Sequence, residues 1–289
     1  KTRETAEYRS GAVIGSGYFS GYEQKVTLNI PEDSTAELDL TSNYGGAAIG
    51  TGGSWTGAQV DAILLGGGSS EEIIANIAGG NIKINADGQA AGIGTGAAVS
   101  DPRKVEANIS GGNVSITNSA AQETSVGPGI GVGVLAKGGT VNCNISGGNV
   151  NLLSKDSEGI TVNAPAMGIG ARHKNHIITN NVSDASGNTF NLNVTGGTIN
   201  AETRSTDTSI PDIGTIENNT FNVKVDGGSL NAVNQRMNVT AKNSEGQNVY
   251  PATVNLGGIT TGNTDISSAS IGGKDYGKNL VAQSGKLYL

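Results

Sequence analysis

The 289 residues include 46 glycines but only 4% aromatic and 35% apolar side chains, which excludes a large aromatic-filled core and an all-helical chain. A formal charge of −7 argues against nucleic acid and anionic membrane as partners, since both need clustered Lys and Arg. No apolar run of about 18 residues exists to enter a bilayer, and the single cysteine, Cys143, excludes an intrachain disulfide and the Cys-rich metal patterns. No secretory h-region opens the sequence, so an exported protein would be represented here by mature residues.

Residues 1–25 carry Tyr8, Tyr18, Phe19 and Tyr22 and are expected to form an N-terminal cap, because a stack of strands must be stopped at both ends. Val26, Leu28, Ile30, Leu38 and Leu40 alternate with polar residues about a bend at Pro31 to Ala36, which predicts two strands with one buried face each. Ala48-Ile49-Gly50 opens a second series of short motifs. Next comes GTGGSWTGAQ, which sets the only tryptophan, Trp55, among glycines and hydroxyls.

Five double glycines follow, at Gly79-Gly80, Gly111-Gly112, Gly147-Gly148, Gly196-Gly197 and Gly227-Gly228. Two residues before each pair stand Ile77, Ile109, Ile145, Val194 and Val225. Four before stand Ala75, Ala107, Cys143, Leu192 and Val223, and six before stand Ile73, Val105, Val141, Phe190 and Phe221. The positions three and five after the first glycine are apolar as well, while those between are polar, with Asn76, Asn108, Asn144 and Asn193 in one column. Period-two alternation broken at a double glycine predicts two strands and a tight bend, where glycine takes positive φ without a Cβ penalty. A third short element recurs at Gly92-Ile93-Gly94, Gly129-Ile130-Gly131, Gly168-Ile169-Gly170 and Ile213-Gly214.

Columns of constant character are what stacked coils require, since coils about 4.8 Å apart place each residue over its equivalent in the next turn. The expected fold is all-β, a right-handed parallel β-helix of about six coils. The expected division is an N-terminal cap over 1–25, the β-helix over 26–245 and C-terminal capping strands over 246–289. Handedness follows from the rule for parallel crossover connections. Its column makes Cys143 a small buried hydrophobe, and the stacked asparagines are expected to hydrogen-bond along the stack.

NISGGNV followed by GIGTG, with the ending SIGGKDYG and SGKLYL, resembles the β-helix modules of large cell-surface proteins of Gram-positive, often gut-dwelling, bacteria. The resemblance implies extracellular display at the bacterial surface and an adhesin-like or carbohydrate-binding role. It points to a monomeric, non-catalytic module of a larger protein that contacts a host or environmental glycan or a host protein.

Two places stand out as candidate contacts. From Ile169 to the next double glycine is 27 residues, against 18 from Ile93 and 17 from Ile130, so extra chain must leave the stack as a loop. Arg172, His173, Lys174 and His176 lie in it, a basic cluster suited to an anionic partner. Two histidines three apart with no acid between them lack a third ligand, so no metal and no cofactor is assigned. Trp55 could stack on the apolar face of a sugar ring. An enzyme would need paired carboxylates or a base beside calcium; the sequence shows no Asp-Asp pair, no acids recurring on one strand face and no His-acid constellation. A structural spacer, and more distantly a polysaccharide lyase or hydrolase, are the alternatives.

Overall fold

The structure is a computed structural model. It describes residues 7–17, 24–43, 45–56, 71–97, 103–119, 126–134, 136–157, 162, 164–170, 187–206, 210–215, 219–233, 236–238, 241–242, 248–249, 254–256, 268–271, 274–275 and 285–288. At 7–10, 24, 54–56, 215, 224–227 and beyond 233 it describes the backbone alone. All secondary structure among these residues is strand, and no helix occurs. Two sheets of eleven and nine strands carry the fold, and their neighbours are paired in parallel except at one end of the smaller sheet, where Ser268–Ile271 and Lys274–Asp275 run antiparallel. The arrangement is consistent with a β-solenoid.

In the larger sheet, Gln24–Ile30, Glu71–Ile77, Arg103–Ile109, Thr140–Lys155, Thr189–Arg204 and Thr220–Ala232 follow one another in register. Ile77 pairs with Ile109 and Ile109 with Ile145, and each is 1% exposed. A second arm of the same sheet aligns Glu37–Asn43, Asn81–Asp87 and Asn113–Ser119 with the later half of Thr140–Lys155. Both inner faces are filled by the expected columns, and Cys143 lies fully buried between Ala107 and Leu192. Phe190 and Phe221 stack at 5.0 Å with their rings 4° apart, replacing the valines of the earlier turns.

The two glycines of each pair are required for different reasons. The second takes φ near +73° at Gly112, a left-handed conformation that side chains resist. The first has an ordinary φ, but a Cβ on Gly111 would collide with the carbonyl of Ala78 in the preceding turn. In the later turns the chain stays in strand through this bend, with only a register irregularity between Ile145 and Asn149.

The smaller sheet joins Ile14–Gly15, Ile49–Gly50, Ile93–Gly94, Ile130–Val132, Met167–Ile169 and Ile213–Thr215. Here the structure corrects one alignment. Met167-Gly168, not Ile169-Gly170, pairs with Ile130-Gly131. The reason is the backbone: Gly94, Gly131 and Gly168 all hold φ between +143° and +155° and stack so closely that each Cβ position is filled by the next glycine's carbonyl. Only the glycine that can adopt this conformation sets the register, and Met167 fills the isoleucine position.

Strands from the expected capping segments join the same ladders. Ile14–Gly15 pairs with Ile49–Gly50, Val254–Leu256 with the Thr220–Ala232 strand, and Ser268–Ile271 with Arg236–Asn238.

One interior position is polar in several successive turns. Glu71 and Arg103 are register partners and form a buried ion pair at 3.2 Å, with the Ser16 hydroxyl donating to Glu71 at 2.6 Å and Arg103 donating to the Gly52 carbonyl at 2.5 Å. The equivalent place further on, one residue before the strands at Thr189 and Thr220, holds Asn188 and Asn219. Asn188 accepts from the Gly139 amide and donates to Ala136 and Asn219.

Candidate functional site

The strand Glu37–Asn43 turns Leu38 and Leu40 toward the core and leaves Glu37, Asp39 and Thr41 on the outer face, as period-two alternation dictates. In-register pairing then sets Asn81 and Asn113 over Glu37, and Lys83 and Ser115 over Asp39. These two columns wall a surface depression of about 420 Å³ that crosses three turns, with Leu38 and Ile82 between them.

Its electrostatics are simple. The Lys83 ammonium lies 3.3 Å from the Asp39 carboxylate, which also accepts from Asn85 at 3.4 Å. Among the described residues Glu37 has no cation beside it. Asn113 donates to Asn81 at 2.8 Å and Asn149 donates to Asn113 at 3.0 Å, so one wall is a ladder of amides.

The neighbouring outer face, on the first arm, is saturated from within. Glu72 sits between Lys104 at 2.8 Å and Lys25 at 2.9 Å, and the hydrogen bonds from these two ammonium groups, Lys104 first, lower its carboxyl to about 2. The same contact raises Lys104 above the usual lysine range. Beside it runs a second amide ladder in which Asn76 donates to Asn29, Asn108 to Asn76 and Asn144 to Asn108, each bond 2.8 to 2.9 Å. This face offers a ligand few open valences; the depression offers several.

Of the candidates read from sequence, Trp55 lies in the strand Gly53–Thr56, which pairs antiparallel with Glu7–Ser10 so that Trp55 stands opposite Tyr8. Arg172, His173, Lys174 and His176 lie outside the described residues. Sequence reasoning missed Glu37 and Asp39, which do share one strand face, and Glu72 and Glu106, which lie on the outer faces of their strands. Their alternation with Leu38, Leu40, Ile73 and Val105 was the available signal. Among the described residues no group of three His, Cys, Asp or Glu side chains is placed to hold a metal ion.

Comparison with family models, with curated proteins and with solved structures finds no match to this chain.

Proposed function

We propose that the chain is a right-handed parallel β-helix of about six coils acting as a non-catalytic, adhesin-like binding module of a bacterial surface protein, displayed outside the cell, with a glycan as its ligand. The observation that carries this reading is the surface depression in which Glu37, Asp39, Asn81, Lys83, Asn113 and Ser115 stand around an apolar floor of Leu38 and Ile82. It presents carboxylates, amides, an amine and a hydroxyl at one regular spacing, the mixture of donors and acceptors that sugar hydroxyls require. Trp55 and the loop bearing Arg172, His173, Lys174 and His176 are proposed as further contacts.

A spacer that holds another domain at a distance is the second reading, favoured by amide ladders whose groups are largely satisfied within the stack. A screen against immobilised glycans and host proteins separates the two. Binding should fall about tenfold in Asp39→Ala/Lys83→Ala, the size of losing two hydrogen-bonding groups. It should also fall in Trp55→Ala, or when residues 171–186 are exchanged for the four residues 134–137 that make the same connection one turn earlier. The exchange must spare Asn188, which is buried and hydrogen-bonded. Failure of the wild-type chain to bind anything supports the spacer, and release of sugar products would establish an enzyme.

A further inference from the structure

The depression has a direction, and the direction constrains its ligand. Its walls are columns of equivalent residues from consecutive turns, so it runs along the stacking axis and across the strands. Successive turns are about 4.8 Å apart, close to the length of one pyranose in an extended chain. Each turn therefore meets one sugar. The chemistry changes turn by turn: two carboxylates at Glu37 and Asp39, then an amide and an amine at Asn81 and Lys83, then an amide and a hydroxyl at Asn113 and Ser115.

Two open valences lie side by side on the first and second turns. The amide ladder Asn149, Asn113, Asn81 passes each Nδ2 to the Oδ1 of the turn before, and it ends with the Nδ2 of Asn81, which has no acceptor among the described residues. Its register partner is Glu37, whose carboxylate has no cation beside it. Lys83, the lining cation, is already held by Asp39 at 3.3 Å. The lining groups thus carry one negative charge in excess, which repels polyuronates and attracts an amine.

Resting on the glycan reading above, we propose that this depression binds a linear amino-sugar chain lying along the stack, three sugars long. A free amine of the sugar at the first turn donates to Glu37, and a ring substituent oxygen of the sugar at the second turn accepts from Asn81. The ligand class is an amino-sugar polymer with unacetylated units.

Titration calorimetry on the full chain, with glucosamine oligomers of one to five units, the matching N-acetylated and glucose oligomers, and galacturonate oligomers, tests this. Affinity should rise up to three units and then level off. Free-amine oligomers should bind about fivefold better than glucose oligomers at low salt, the upper range for one exposed charge pair, and lose that margin at high salt. Glu37→Gln, at an exposed position, should abolish the margin of free-amine over glucose oligomers. If glucose oligomers bind as well as the amine-bearing ones, or the margin survives in Glu37→Gln, the amino-sugar assignment is overturned and the glycan reading stands. If no oligomer binds, the amino-sugar assignment falls, and the wider glycan screen decides the glycan reading separately.

Discussion

A methyl group added at Gly94 would occupy the place of the Gly131 carbonyl oxygen, at a φ of +145° that side chains rarely adopt. Replacement by alanine should therefore destabilise the fold by at least about 3 kcal/mol in urea unfolding. Gly138 is the control: its φ of +69° is also left-handed, but nothing lies within 4 Å of its Cβ position. There alanine should cost only about 1 kcal/mol, the conformational term alone. Cys143 is equally constrained. Burial pushes its thiol up to about 12, so it should resist thiol reagents in the native protein and react on unfolding. Cys143 was placed correctly from its column because inner positions repeat; the Met167-Gly168 register was not, because Met-Gly-Ile-Gly offers two glycines and only the backbone angle tells which one bends the strand.

At the level of the strand, polar groups are arranged so that neighbours in successive turns satisfy one another. Glu72, held near 2 by Lys104 and Lys25, contributes its pairing at any pH above the ordinary carboxylate range and loses it as the pH falls toward 2. Carboxyl NMR titration should find this low value, and Lys104→Gln should raise it. Asp156 has the same sign by another route. Burial alone would raise it, but the backbone amides of Val162 and Thr206, at 2.8 and 2.6 Å, outweigh burial and hold it below its ordinary value. In the interior, Arg103→Met should cost about 3 kcal/mol by removing the cation from buried Glu71, and the double replacement with Glu71→Met should recover most of it. None of these pairs was legible beforehand. The ion pairs join residues 32 to 47 apart, and the order of charges along the chain does not say which of them the stacking brings together.

Over the whole molecule, each turn touches mainly the turn before and the turn after, so stability is a chain of nearest-neighbour contacts. Amide hydrogen exchange should be slowest in Arg103–Ile109 and in Thr140–Lys155, which have paired turns on both sides, and faster in Gln24–Ile30. The all-β, parallel character was legible because the double-glycine columns state it five times over. The face proposed for binding was not, since it lies on the first turns, where Pro31 to Ala36 replaces the double glycine and the repeat is least regular.

The outer amides carry one more consequence. From Asn76 to Asn231, in every outer amide contact described, Nδ2 of the later turn reaches back to Oδ1 of the earlier one. The small dipoles consequently point one way, and among the described residues the buried Oδ1 atoms of Asn193 and Asn222 have no donor. An amide inside the row both donates to the turn before and accepts from the turn after, so replacing one breaks two rungs at once and leaves one neighbour without its donor and the other without its acceptor.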